Sequence, residues 1–133
     1  MELALTEAEA AGSRGEVPVG AVLIGPGGEV LARDGNRILE LADPTAHAEM
    51  LVLRRAAAGM RTPRLVGCEL WVTLEPCPMC AYAVSLARVR RLYFAAADPK
   101  AGGVENGPRI FASSSCHHRP EVYSGIGEAR AAL

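Results

Sequence analysis

No apolar run in this chain reaches the length needed to cross a membrane. Its start, Met1-Glu2-Leu3-Ala4-Leu5, carries an acid and lacks the basic stretch and apolar segment of a secretory signal. Neither charge dominates: the formal net charge is -1, which excludes a broadly basic nucleic-acid coat while leaving room for a local basic patch. Aromatic residues are only 5% of the chain, few for a protein that would merely stack on bases. There is no internal repeat and no linker. The 4 cysteines, in a chain without an export signal, are expected to stay reduced and to serve as metal ligands plus spares rather than disulfides. What is present is ordinary: 50% hydrophobic and 22% charged residues over 133 positions, enough for one domain, residues 1–133, with a proper core.

The periodicities predict an alternation of helices and strands. Residues 2–11, rich in Ala, Leu and Glu, predict a helix ending near Gly12. The β-branched run 17–24 predicts a buried strand, and the turn Gly25-Pro26-Gly27-Gly28 returns it as an antiparallel neighbour over 29–34. Asp43-Pro44 predicts a helix start, with Asp43 as cap, Thr45 as the competing cap and Gly59 as the stop after Ala58. Residues 69–74 predict a strand, Met79 to Ala87 a helix introduced by Pro76 and Pro78, and 92–96 another strand. A short helix near 109–111, a last strand over 121–124 and a helix from Gly127 complete the order. Such an order predicts an α/β fold of three α-β-α layers. Its mixed sheet would open with an antiparallel hairpin and continue through β-α-β crossovers.

The chemistry-bearing residues form one split constellation: His47-Ala48-Glu49, then Pro76-Cys77-Pro78-Met79-Cys80. One imidazole and two thiolates are a zinc donor set, and three protein ligands leave the fourth tetrahedral position open for water, as a catalytic zinc requires. Glu49, two residues from His47, is placed to move protons without binding the metal. Both halves sit at predicted helix N-termini, which favour thiolate over thiol. Cys-x-x-Cys alone would equally suit a redox pair. It would also suit a structural zinc site, whose fourth ligand would come from Cys68, Cys116, His117 or His118. The order and spacing, H-x-E followed by P-C-x-x-C, are the signature of the zinc deaminases.

With its surroundings, this constellation resembles the cytidine deaminase-like superfamily, and within it the bacterial tRNA-specific adenosine deaminases. The matching stretches are EVPVGAV (16–22), Gly35-Asn36-Arg37, DPTAHAEM (43–50), VTLEPCPMC (72–80) and DPKAG (98–102). The resemblance implies a five-stranded sheet flanked by helices, a homodimer in the cytoplasm, no membrane partner, and the wobble adenosine of a tRNA anticodon loop as substrate. It implies that His47, Cys77 and Cys80 bind one Zn2+ and that Glu49 is the general acid and base. It further implies that Asn36 contacts the target nucleotide, that Ala48 offers its backbone to the base, and that Asp98 and Lys100 belong to a loop approaching the RNA.

Two departures stand out. Residue 82 is Tyr where a small residue is expected, so the ring would narrow the pocket, stack on a neighbouring base or pack a dimer. The family usually ends in a longer basic, aromatic C-terminal helix, whereas this sequence stops at Leu133 inside its predicted last helix, so either that helix is truncated or the RNA grip is reduced. Arg88, Arg90, Arg91, Lys100, Arg109, His117, His118 and Arg119 concentrate cations in the second half, either as one basic face or as scattered solubilising charges. A deaminase of a free base or nucleoside (guanine, cytosine or cytidine) would keep the same four residues and change the pocket. A non-catalytic zinc module would have no use for Glu49.

Overall fold

In a computed structural model that describes residues 1–127, the elements run α1 (Glu2–Ser13), β1 (Gly20–Ile24), β2 (Val30–Gly35) and α2 (Ala48–Met60). They continue as β3 (Glu69–Leu74), α3 (Pro78–Leu86), β4 (Arg91–Ala96), a 3-10 turn (Ile110–Ala112) and β5 (Glu121–Ser124). The expected C-terminal helix lies outside the described residues from position 128 onward. The five strands form one sheet in the order β2-β1-β3-β4-β5. β1 pairs antiparallel with β2 and β3, whereas β3–β4 and β4–β5 are parallel. Parallel neighbours need a crossover, and α3 supplies it between β3 and β4.

Alternation along β2 sets the layers, because successive side chains leave a strand on opposite faces. Arg33 reaches Glu7 of α1 at 2.7 Å, and the next residue, Asp34, reaches Arg55 of α2 at 2.8 Å. Helix α1 therefore covers one face and α2 the other, with α3 packed beside α2. α1 lies almost on the hairpin backbone: a Cβ on Gly35 would come within 2.6 Å of the Glu7 carbonyl oxygen. Between the layers Leu23, Val52, Leu70, Val72, Val84, Leu92 and Phe94 are fully buried. Each contributes about 1.5–3 kcal/mol by leaving water.

Local differences from expectation have local causes. β1 begins at Gly20 rather than at residue 17, since Pro18 has no N–H to give a ladder and the Val19 N–H turns back to the Val17 carbonyl at 2.8 Å. α2 starts at Ala48 with His47 as its cap, not at Asp43. Asp43 Oδ1 instead accepts the Thr45 N–H and hydroxyl at 2.8 and 2.7 Å, a tight turn that delays the helix and delivers His47 at its tip. α2 also runs through Gly59 to Met60 and ends on Arg61 in the left-handed region.

Asp34 is a buried carboxylate (2% exposed) that accepts from Gly35 N–H, Arg37 and Arg55. Burial raises its pKa, but the two guanidiniums outweigh burial and hold it below the ordinary carboxylate value. A depressed folded pKa gives stability that is present above the unfolded pKa of about 4 and is lost as pH falls through the folded one. Asp34→Asn should therefore cost about 2 kcal/mol at pH 7. In thermal melts the gap to the parent protein should close below about pH 4. A gap that does not change with pH would show that the charge is not what stabilises this corner.

Candidate active site

Strand directions bring four segments to one edge of the sheet. The start of β1, the exit of β2 and the exits of β3 and β4 all face the same way, at the carboxyl ends of the parallel strands. Val17, Val19, Asn36, Ile38, Glu75 and Asp98 come from these segments. With His47, Glu49, Cys77 and Ala101 they line a cavity of about 190 Å³. Small-molecule sites typically span about 300–1,000 Å³, so this one admits a single ring system rather than a whole nucleotide. A larger cavity of about 390 Å³, bordered by Met1, Leu3, Val22 and Trp71, lacks a metal-ligating set and is not where the chemistry lies.

At the cavity floor the N-termini of α2 and α3 converge. His47 caps α2 and Cys77 caps α3, while Cys80 lies one turn into α3. His47 Nδ1 stands 3.7 Å from Cys77 Sγ and 3.5 Å from Cys80 Sγ. All three donor atoms lie within 4.8 Å of one another. Tetrahedral zinc with bonds of about 2.3 Å to sulfur and 2.0–2.1 Å to nitrogen sets its ligand atoms roughly 3.5 Å apart, so the donor set fits the ion as it stands. Among the described residues no fourth ligand joins it. Cys116 is buried against Ser85 and the His118 carbonyl, His118 Nε2 meets the Val89 carbonyl, and Cys68 is in the core. The arrangement keeps one coordination position open.

Charge states follow from the geometry. A hydrogen bond from Cys80, and then the His47 imidazole, draw the Cys77 thiol down to about 4. Cys80 moves upward, because it donates to Cys77 and is buried. Without metal the pair holds one proton, on Cys80, and zinc displaces it. The hydrogen bond to Cys77 raises His47. Glu49, 4% exposed, is pushed up to about 7 by burial.

The remaining site candidates divide into two walls. On one, Asn36 is buried and its Oδ1 accepts the Ala48 N–H at 2.8 Å, so its amide N–H₂ is the end left for the cavity. Ala48 is fully buried and spends its own N–H on that bond. Glu16 holds the rim beside it, accepting the Leu39 and Glu40 N–H groups at 3.1 and 2.9 Å. On the other wall Asp98 lines the cavity and its Oδ1 accepts the N–H groups of Lys100 and Ala101 at 3.1 and 3.0 Å, while Lys100 is exposed at the loop tip. Tyr82 is not in the lining. It is 38% exposed on α3, four residues from the exposed Leu86. The cations of the second half are partly committed elsewhere. Arg91 pairs with Glu69 and Glu121, and Arg88 and Arg119 donate to backbone carbonyls. Sequence reasoning passes over Glu75, a buried cavity residue. Its signal was an acid closing the apolar strand VTL directly before Pro76-Cys77.

The family model of the cytidine and deoxycytidylate deaminase zinc-binding region matches residues 1–96. The chain is 58% identical to the tRNA-specific adenosine deaminase of Agrobacterium fabrum, over 99% of this chain and 86% of that protein. It belongs to the tRNA-specific adenosine deaminase family. A solved tRNA:A34 deaminase, studied for A-to-I editing at the wobble position of transfer RNA, superposes with a TM-score of 0.97 at 57% identity. That match covers 99% of this chain and 95% of the other. A guanine deaminase from Nitrosomonas europaea shares the fold with a TM-score of 0.83 at 25% identity, over 98% of this chain and 77% of that one. The five-stranded mixed sheet with its flanking helices is the fold of this deaminase family, as expected from the sequence. One Zn2+ per subunit is the cofactor, and the His/Cys/Cys group is the donor set that suits it.

Proposed function

We propose that this chain hydrolyses adenosine to inosine at the wobble position of a tRNA anticodon loop. The observation that carries the reading is a buried carboxylate, Glu49, beside an open His/Cys/Cys site at the floor of a cavity that admits one base. His47, Cys77 and Cys80 hold the metal. When bound, zinc supplies a strong nucleophile from water near neutral pH. Glu49 takes the proton from that water and delivers it to adenine N1, which makes C6 attackable. It then carries the proton of the hydroxyl newly added at C6 to the departing amine, so that water and adenosine become inosine and ammonia. A carboxyl that burial pushes toward neutrality suits both directions of this transfer. Asn36, oriented by Ala48, offers an N–H donor to the base, and adenine's ring nitrogens are acceptors. Asp98 and Lys100 meet the flanking RNA. A base at this depth must be flipped out of its stack, which an unpaired anticodon loop allows at low cost.

The subunit acts as a homodimer. Supporting this, Tyr82 and Leu86 lie at i and i+4 on α3 and present one exposed apolar strip. The compartment is the cytoplasm, where tRNA is at hand and thiols stay reduced. Among the described residues no helix is long and apolar enough to cross a membrane.

The test is inosine formation on an anticodon stem-loop with adenosine at the wobble position, beside free adenosine, guanine and cytidine. Light scattering gives the mass of the active species, and cell fractionation its compartment. The stem-loop should exceed free adenosine in kcat/KM by about 10³ or more, since binding energy from the loop is spent on placing the base. Turnover confined to a free base or nucleoside would overturn the substrate assignment, and an active monomer would overturn the dimer.

A further inference from the structure

The Glu75 carboxylate accepts five hydrogen bonds, and the proposed proton transfers do not use it. It is 2% exposed and sits two residues before the first cysteine of the metal site. Its Oε2 accepts the backbone N–H groups of Val104, Glu105 and Asn106 at 3.0, 2.9 and 3.0 Å. Its Oε1 accepts the Asp98 N–H at 3.0 Å and the Asn106 side-chain amide at 2.7 Å. All five partners are donors, and all belong to the segment that follows β4. Backbone bonds on either side of the carboxylate tighten the same joint. The Glu75 N–H donates to Ala96, and the Gly103 N–H to Pro76, both at 2.8 Å. Packing confirms the closeness, for a Cβ on Gly102 would lie 2.5 Å from the Glu75 carboxylate and from the Asp98 carbonyl.

We propose that Glu75 is a positioning residue that clamps the 98–106 loop, the RNA-facing wall of the pocket, to the start of the metal-binding helix α3. The loop has no regular structure between Asp98 and the 3-10 turn at Ile110–Ala112, so its backbone N–H groups need partners from elsewhere. One carboxylate meets four of them and a side-chain amide as well. Asp98 and Ala101, which line the cavity, are thereby held at a set distance from Cys77. None of these bonds reaches Asn36, Ala48 or Glu49. Releasing it loosens the surface that meets RNA flanking the target base while leaving the reacting groups in place. Glu75→Gln removes it sharply although the shape is kept, because either orientation of the amide turns an N–H₂ toward N–H donors. Asn106→Ala is the gentler variant, removing one donor of five.

The inference rests on the proposed RNA substrate, so the experiment needs a readout that does not. Zinc-loaded protein, Glu75→Gln and Asn106→Ala are compared for metal content, amide hydrogen exchange over 98–106 and steady-state kinetics on the anticodon stem-loop. Glu75→Gln should keep one zinc per subunit. It should lose protection at 104–106 by about tenfold or more, with protection of α2 unchanged. Its KM should rise about tenfold with kcat within about threefold, and Asn106→Ala should fall between it and the parent. Unchanged exchange in the loop, loss of zinc, or a fall in kcat with KM unchanged would each overturn the clamp. Parent protein that is inactive on the stem-loop, with Glu75→Gln still losing loop protection, would sink the substrate reading and leave the clamp standing.

Discussion

Glu49→Gln should lower kcat on the anticodon stem-loop by about 10³–10⁴ while zinc stays at one per subunit, because the single group that moves protons in both directions is gone. The same change should make the metal-free protein more stable. Burial shifts the Glu49 carboxyl from the ordinary 4.5 to about 7. For an acid whose folded pKa is raised, the folded state is favoured below the unfolded pKa and loses stability as pH rises between the two values. Above pH 7 that loss is roughly 3 kcal/mol, at about 1.4 kcal/mol per pH interval of one. A neutral amide of the same shape escapes it. Metal-free Glu49→Gln should thus melt higher than the metal-free parent at pH 8 and converge with it near pH 4. Activity and stability moving in opposite directions separates lost chemistry from misfolding. A variant within tenfold of the parent rate would remove Glu49 from the mechanism.

The same site shows which parts of the molecule a linear reading reaches. That His47, Cys77 and Cys80 come together was legible because zinc chemistry restricts both residue type and spacing, and because helix N-termini are marked by local residues such as Pro78. Strands β3 and β4 were legible from apolar runs, since burial on a sheet leaves a period in the sequence. The start of α2 was not. Asp43 is as good a cap as a helix can have, yet its bonds to Thr45 close a turn first, and choosing between the two needs the tertiary contact of Arg37 N–H with the Ala46 carbonyl. Glu75 was legible only as an odd acid at a strand end. Its meaning lies in N–H groups 23 to 31 positions further on, and spacing in such a loop follows no rule. The basic second half was legible as a cluster but not in its pairings, for a related reason. A run of cations says nothing about the partner each will meet, and Arg91 meets Glu69 and Glu121 across the sheet.

Cys80→Ala should abolish zinc binding and activity together, and it should also remove the protein's sensitivity to chelators. The two helices that form the site approach one another through few contacts of their own, and the donor atoms come from positions 47, 77 and 80. Metal that binds the folded state and not the unfolded one stabilises it by RT ln(1 + [L]/Kd), so at zinc a thousandfold above Kd it adds about 4 kcal/mol. Stripping the parent with a chelator should lower its melting temperature by roughly 10 °C, while Cys80→Ala should already melt near the stripped value and not respond. Thiol reactivity gives a second readout. In the metal-free parent Cys77 is a partly exposed thiolate with a pKa of about 4, whereas Cys80 is buried and protonated. Iodoacetamide at pH 7 should therefore alkylate Cys77 ahead of Cys80, and zinc should protect it. In Cys80→Ala the hydrogen bond that most lowers Cys77 is missing, so its alkylation should slow as well as become indifferent to zinc. Stoichiometric zinc retained by Cys80→Ala, or alkylation of Cys77 that proceeds equally with and without metal, would mean that these thiols do not form the metal site.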